Sequence, residues 1–430
     1  MKVYRQMLLA ALGMALAHGA QAQKITFRAA LELALKHSAQ MEMARADQTL
    51  AHQSYLETRN AYIPQITLGS GAAQVWGYPM SVEGSAPSVF NVSSQSCLLN
   101  LGQHDFLRAA RTDWTRASTL FDNQRDATLL ETALTYMQLD RTTAKLAALQ
   151  QEAEEADRLE TISRQRLQQG IDSKVDVTKA SLHVARLRLR LAQAQGDADL
   201  LRQRLGQLSG LDVRELATDP ASIPPQPEIS QQEDLAARAL ANSPAVKAAE
   251  ERARAAALRA HGEHKQLYPA IDLVGNYGLF TKYNNLNLLF PQGEFTRNNA
   301  TFGVAVRFPF LNATQRSHAA AADADAWKTH EQAMAVREEV ANETLKLQRA
   351  VQQLTAACDV ARLEYELAQA EVEATASRIQ AGQATIKDQE NARLEADDKQ
   401  AALFDAQFEL DRTRLQLLRN VGGLEGWALP

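Results

Sequence analysis

Three sets of side chains in this 430-residue chain have types and spacing that could do chemistry. His261 and His264 stand three residues apart with Glu263 between them, so a helix would put both imidazoles on one face. Zinc would want a third protein ligand there, and catalysis an acid or base set against the ring. Nothing nearby in the sequence supplies either, so these read as solvated surface histidines. Cys97 falls in an extended segment and Cys358 in a helical one, which gives no disulfide framework. No Gly-rich phosphate loop, paired CxxC or Ser nucleophile elbow occurs. The chain therefore reads as a protein with no catalytic residues, no cofactor and no metal. The third set is Asp176 and Asp388, each six residues after a glycine, Gly170 and Gly382. Either could be an ordinary solvated carboxylate. Brought together around an axis, such carboxylates would focus a negative potential and favour cations.

The matched aspartates are part of a larger repetition. At an offset of 205, Leu35 falls on Leu240, Ser38 on Ser243, Pro64 on Pro269, Ile66 on Ile271 and Leu68 on Leu273. At an offset of 212, Arg166-Leu-Gln-Gln-Gly170 falls on Arg378-Ile-Gln-Ala-Gly382, Asp176 on Asp388 and Gly210 on Gly422. So long a period is no small solenoid unit; it describes a duplicated module of two long helices with an extended insert.

Each copy opens with an Ala-rich helix that stops at a proline, Pro64 or Pro269, because proline cannot donate the next helix hydrogen bond. Two extended stretches follow in each copy, in the first around a loop bearing Pro79, Gly84 and Pro87. A helix pattern then runs from Gly102 to Gln169, on the order of 100 Å of helix. The glycine turn and a return helix to about Leu208 complete the first copy, and the second repeats the order to about Val421. Leu394, Ala401, Phe404, Phe408, Leu415 and Leu418 recur at coiled-coil steps, a seam for helix packing. The domains expected are a signal peptide at 1–22, a first repeat at 23–211, a Pro-rich linker at 212–231 and a second repeat at 232–430.

Lys2 and Arg5, the apolar run Met7 to Ala17 and the small-x-small Ala20-Gln-Ala22 form an export signal, with cleavage between Ala22 and Gln23. Of 46 basic residues the signal removes two, against 51 acidic, leaving a net charge of −7. That sign argues against nucleic acid as a partner. Nothing after Gln23 approaches eighteen consecutive apolar residues, so no transmembrane helix is expected.

The extended segments alternate with period two. Phe302, Val304, Val306, Phe308 and Phe310 interleave with Thr301, Gly303, Ala305, Arg307 and Pro309. Ile271, Leu273, Tyr277 and Leu279 interleave with Asp272, Asn276 and Gly278. The pattern fits a membrane-spanning strand, with Val304 and Val306 toward lipid, and equally a half-buried sheet in a soluble domain. In the first copy Ser93, Ser94 and Ser96 blur it. If the strands do span a bilayer, four cannot close a ring, and several chains must contribute.

In this order of features the chain resembles the TolC-like outer membrane efflux proteins over nearly all of its mature length. The resemblance rests on Tyr62-Ile-Pro64 and Leu267-Tyr-Pro269, the strand pairs, the long helices, the Gly-centred tips followed by aspartate, and Phe308-Pro-Phe-Leu-Asn312. It implies a mainly α fold with a small β part. Duplicated coiled-coil hairpins and four strands per chain would close a twelve-stranded barrel and a helical tunnel as a homotrimer in outer-membrane lipid. The implied function is a passive exit duct for efflux or type I secretion, with a periplasmic adaptor and an inner-membrane transporter as partners. Asp388, Asp176 and Asn391 would then lie at the entrance, with Glu390 a further neighbour. Arg166, Leu167, Gly170, Arg378, Ile379 and Gly382 would mark the adaptor-facing tips. Asp176 matches the acidic member of the family's entrance lock. Ala384 and Ile379 stand where the lock has an arginine and a tyrosine, and Cys97-Leu-Leu-Asn-Leu-Gly102 lacks the proline of the second junction. The competing reading is an exported soluble scaffold or adaptor without a barrel. An adaptor would carry one hairpin flanked by β-domains, whereas this chain carries two.

Overall fold

The computed structural model describes residues 24–71, 88–171, 173–213, 216–227, 234–280, 298–381, 383–384 and 386–429. The export signal with Ala22 and Gln23, the first strand-pair loop and Gly382 lie outside the described residues.

In chain order the elements are β1 (Lys24–Ile25), α1 (Phe27–His37), α2 (Ala39–Asn60), β2 (Gln65–Gly69), β3 (Ser88–Leu99), α3 (Leu101–Gln168) and α4 (Lys174–Ser209). The second half contributes β4 (Ala217–Thr218), α5 (Leu235–Asn242), α6 (Pro244–Lys265), β5 (Ala270–Phe280), β6 (Asn298–Arg307), α7 (Ala313–Gln380), α8 (Ile386–Asn420) and α9 (Leu424–Ala428). The opening helix of each copy is broken where one continuous helix was expected. In the first, Ser38 takes extended backbone and its hydroxyl accepts from the Met41 N–H at 3.3 Å, restarting the helix. In the second, Pro244 has no N–H to continue α5 and begins α6 instead, as suits proline at a first helical position.

The chain forms two compact units, and each draws on both copies. One holds the residues up to Ala44, Asp122–Ser243 and Glu339 onward; the other holds Arg45–Phe121 and Pro244–Glu338. The core of the first unit gathers around Phe27, which meets the rings of Tyr136 and Trp427 edge-on, both at 5.4 Å between centroids. The Tyr136 hydroxyl donates to the Ile25 carbonyl and accepts from the Asp219 N–H, both at 2.7 Å. The stretch between the copies is thereby tied down. Its β4 pairs in parallel with β1, and the Pro225 carbonyl accepts from the Trp427 indole at 3.0 Å. On α8 the expected seam is buried at its far end, in Leu415 and Leu418; nearer the turn the buried residues are Ala396, Leu403 and Leu410, and Phe404 is half exposed. Arg141 lies over the Phe408 ring and binds Asp411.

The second unit carries one antiparallel sheet in the order β2-β3-β5-β6. Each long helix that leaves it is capped by asparagine: Asn100 Oδ1 accepts from the Gly102 N–H, and Asn312 Oδ1 from the Gln315 N–H, both at 2.9 Å. Asparagine at such a position satisfies N–H groups that a helix start otherwise leaves without a partner. It is the element common to the two junctions, where the sequence had drawn attention to the proline found in only one. Phe308 and Phe310 follow the last strand and are not part of it.

Candidate functional site

Register sorts the sheet into two chemically different faces, because residues opposite one another across a ladder share a face. On one lie Ile66 and Leu68 of β2, Phe90 and Val92 of β3, Ile271, Leu273, Tyr277 and Leu279 of β5, and Phe302, Val304 and Val306 of β6. On the other lie Gln65, Thr67, Asn91, Ser93, Gln95, Asp272, Asn276, Thr301 and Arg307. The serines that blurred the first strand pair divide cleanly: Ser93 is on the polar face, Ser94 and Ser96 on the apolar one. Among the described residues nothing covers the apolar side of β6, where Phe302 is 81% exposed and Val306 65%. On the polar face Arg307 forms an ion pair with the nearly buried Asp272, which also accepts from Gln95 at 3.3 Å. Both outer strands, β2 and β6, have one edge without a ladder partner among the described residues.

At the first hairpin turn Gly170 has φ of 74°, and the Ile171 N–H reaches back to the Arg166 carbonyl at 2.9 Å. This closes α3 with a left-handed residue, a conformation glycine adopts without strain. The second turn repeats the reach, with the Gln383 N–H donating to the Arg378 carbonyl at 2.8 Å. Leu167 and Ile171 are exposed, Arg166 and Ile379 half-buried, and Arg378 pairs with Glu371 at 3.0 Å on its own helix. Ala384 is half-buried.

Asp176 and Asp388 both stand at the third residue of their helices, α4 and α8. Ser173 and Asp176 form a reciprocal cap: the Ser173 N–H donates to Asp176 Oδ2 at 3.1 Å, and the Asp176 N–H donates to the Ser173 hydroxyl at 3.3 Å. The Ser173 hydroxyl also donates to Oδ2 at 2.6 Å. That hydroxyl hydrogen bond, then the N–H, holds the Asp176 carboxyl below its ordinary range, with Lys179 and Lys387 adding to the effect. The signal for this was in the sequence, since Ser or Thr followed three residues later by Asp is a helix-start pattern, and Thr385-Ile-Lys-Asp388 repeats it. Asp388 and Asn391 are exposed on the first turns of α8.

Further along the hairpins, half-buried carboxylates face basic groups. Burial pushes the Glu152 carboxyl up, helped by the charge of Asp397 and opposed by Arg190. Burial likewise raises Asp397, with Arg190 opposing and Asp398 adding. Arg190 itself pairs with Asp398 at 2.7 Å. Elsewhere His264 binds Asp323 at 2.8 Å, and Glu263 accepts from Gln315 at 2.7 Å. Cys97 and Cys358 are free thiols.

The model of the outer membrane efflux protein family matches residues 30–211 and 235–423. The chain belongs to that family. Its fold matches solved structures at low identity. The outer membrane protein VceC of Vibrio cholerae is 20% identical with a TM-score of 0.72, over 92% of this chain and 96% of that one. The CmeC outer membrane channel of Campylobacter jejuni is 14% identical with a TM-score of 0.75, over 93% and 86%. The open state of the MtrE outer membrane channel of Neisseria gonorrhoeae is 15% identical with a TM-score of 0.69, over 95% and 94%. No curated protein matches the chain. Among the described residues of this efflux family member, no helix is long and apolar enough to cross a membrane.

Proposed function

We propose that three copies of this chain form a passive exit duct in the outer membrane, which takes its cargo from an inner-membrane transporter through a periplasmic adaptor. The observation that carries this reading is the two-faced sheet with two open edges. An apolar face without cover fits hydrocarbon, and a polar face fits a water-filled lumen. Open edges are not tolerated in a bilayer, so the ladder must continue into another copy. The strand order is antiparallel throughout, so β6 of one copy meets β2 of the next in the same alternating sense. Three four-stranded sheets make twelve strands.

The hairpin turns are the adaptor-facing surface on this reading, through Arg166, Leu167, Gly170, Arg378, Ile379 and Gly382. Asp388 and Asn391 flank the entrance, while Asp176 serves first as the α4 cap. Transport through such a duct needs no catalytic group, because energy is supplied at the inner membrane. Fractionation of expressing cells tests the proposal. The mature protein should sediment with outer membrane, resist salt washing and leave with detergent as a trimer. Recovery in the soluble periplasm would favour the scaffold reading instead.

A further inference from the structure

The four strands of the sheet, β2, β3, β5 and β6, contain one acid and one base among their residues, Asp272 and Arg307. The rest of the polar face is hydroxyl and amide, chiefly from Gln65, Thr67, Asn91, Ser93, Asn276 and Thr301. Both charges stand at the helix end of the sheet. Asp272 is the third residue of β5, which follows α6, and Arg307 is the last of β6, ahead of α7. The register sets Arg307 opposite Ala270, two residues from Asp272, so the two share a face and reach each other diagonally.

Their surroundings are unequal. The Asp272 side chain is 6% exposed and that of Arg307 71%. Asp272 Oδ2 accepts from the Arg307 guanidinium on β6 and from the Gln95 amide on β3, so three strands meet on one oxygen. The acid is held inside the sheet, beneath a base that is open to solvent. A nearly buried carboxylate keeps its charge only beside a partner, whereas an exposed guanidinium is charged with or without one.

The duplication supplies a control. At the offset of 205 Asp272 falls on Thr67, and at the offset of 212 Arg307 falls on Gln95. The pairing is the same in both copies: Thr67 lies opposite Ser93 and Gln95 opposite Gln65, as Asp272 lies opposite Ala305 and Arg307 opposite Ala270. One copy has both charges and the other has neither. That is the pattern expected where the net charge of the face is held at zero.

Three copies around one axis would ring the barrel mouth with three Arg307 side chains. Unpaired cations in a low-dielectric wall focus a positive potential on whatever passes. An acid in contact with each cancels most of that field over the distance that salt leaves unscreened, about 10 Å at 0.1 M.

Resting on the trimeric duct reading above, we infer that Asp272 masks Arg307, and that the pair keeps the barrel mouth indifferent to the sign of a passing charge. Arg307 ties β6 to β5, and Asp272 cancels what that tie would otherwise impose on cargo. Charge preference is thereby left to the helical part of the duct.

Single-channel recording in a salt gradient, with light scattering in detergent to read assembly, tests the mask. Asp272→Asn should still form a trimer and shift the cation-to-anion permeability ratio toward anions by about twofold or more at 0.1 M salt. Adding Arg307→Gln to it should return the ratio to that of the parent. Arg307→Gln alone should lower the yield of trimer, because it leaves a nearly buried carboxylate without its cation, and Asp272→Asn should rescue that yield. A trimeric Asp272→Asn duct with the parent's ratio would overturn the mask, leaving the pair a strand fastening and the duct reading intact. Asp272→Ser is read in the same way. Failure of both neutral variants to assemble would also overturn the mask, since the acid would then serve folding. A parent that is monomeric and does not conduct would overturn both readings.

Discussion

The two copies of the duplication agree in backbone and differ in what their side chains meet. Both long helices span 68 residues, both start on an asparagine cap, and both return helices end at a left-handed glycine, Gly210 or Gly422. Yet matched positions do unlike work. Trp114 stacks on Tyr55 at 5.7 Å and lies 4.5 Å from His52. Trp327, its counterpart within one residue, is 69% exposed, and Ala257 and Ala260 stand where the first copy has His52 and Tyr55. Glu152 is half-buried among charges, whereas its counterpart Glu364 forms an exposed pair with Lys399 at 2.8 Å. Length, caps and turns are what a hairpin needs to exist, so both copies keep them. The faces are free to diverge because each copy has different neighbours.

The strand pairs give the largest expected effect. The second copy places Phe302, Val304 and Val306 on the apolar face, whereas in the first Phe90 and Val92 share that face with Ser94 and Ser96. An arginine on a lipid face near the bilayer midplane costs about 2–4 kcal/mol and far less on the lumen side. Val304→Arg should therefore sharply lower the yield of assembled protein extracted from outer membrane, and Ala305→Arg should lower it little. Equal yields would break the assignment of faces.

Next comes the tyrosine fastening of the first copy. Tyr136 is fully buried, and its counterpart at position 348 is Gln. Tyr136→Phe leaves the Asp219 N–H and the Ile25 carbonyl short of a partner, at a cost of about 1–3 kcal/mol. Denaturant melts of the helical unit should shift accordingly. An unshifted midpoint would mean that this hydroxyl does not hold the start of the chain.

The repeat, the hairpins and the strand alternation were legible because each is a periodic or punctuated pattern along the chain. The helix breaks were harder to see. Ser38 aligned with Ser243, but a serine inside an Ala-rich run signals a break only when its hydroxyl takes over a helix N–H, as it does for Met41. The seam on α8 held at Leu415 and Leu418, which are buried, and failed at Phe404, which is half exposed. Arg141, distant in sequence, instead draws Phe408 and the Phe404 carbonyl toward a charged contact. The caps at Asn100, Ser173 and Asn312 were readable from spacing and passed over in favour of glycines and prolines.

A smaller effect separates Glu152 from Glu364 in sign. A carboxyl whose pKa is raised in the folded chain binds its proton more tightly folded than unfolded, so it opposes folding once pH rises through that raised value. Glu152→Gln should therefore stabilise the chain near pH 7 by a few tenths of a kcal/mol, and the gain should vanish below the usual carboxylate range. Glu364→Gln gives up an exposed ion pair and should destabilise by under about 1 kcal/mol at pH 7. Thermal melts of both variants across pH read the contrast. Shifts of the same sign would show that the two environments are equivalent.

The last comparison is between the two turn aspartates, and its effect is on conduction more than on stability. Asp176 spends its carboxylate on the Ser173 cap, so Asp176→Asn weakens the start of α4 and should leave ion preference nearly unchanged. Asp388 occupies the matching position of α8 on an exposed first turn. With three copies around one axis, its carboxylates would hold a local excess of cations, an effect screened over about 10 Å at 0.1 M salt. Asp388→Asn should lower cation preference and weaken block by multivalent cations, most clearly at low salt. Little gain in opening is expected from Asp176→Asn, because Ala384 and Ile379 offer no charged or phenolic partner for a lock through that residue. Single-channel recording in planar bilayers compares the variants with the parent. If Asp388→Asn keeps both its ion selectivity and its cation block, the two aspartates are alike after all, each serving only its own helix.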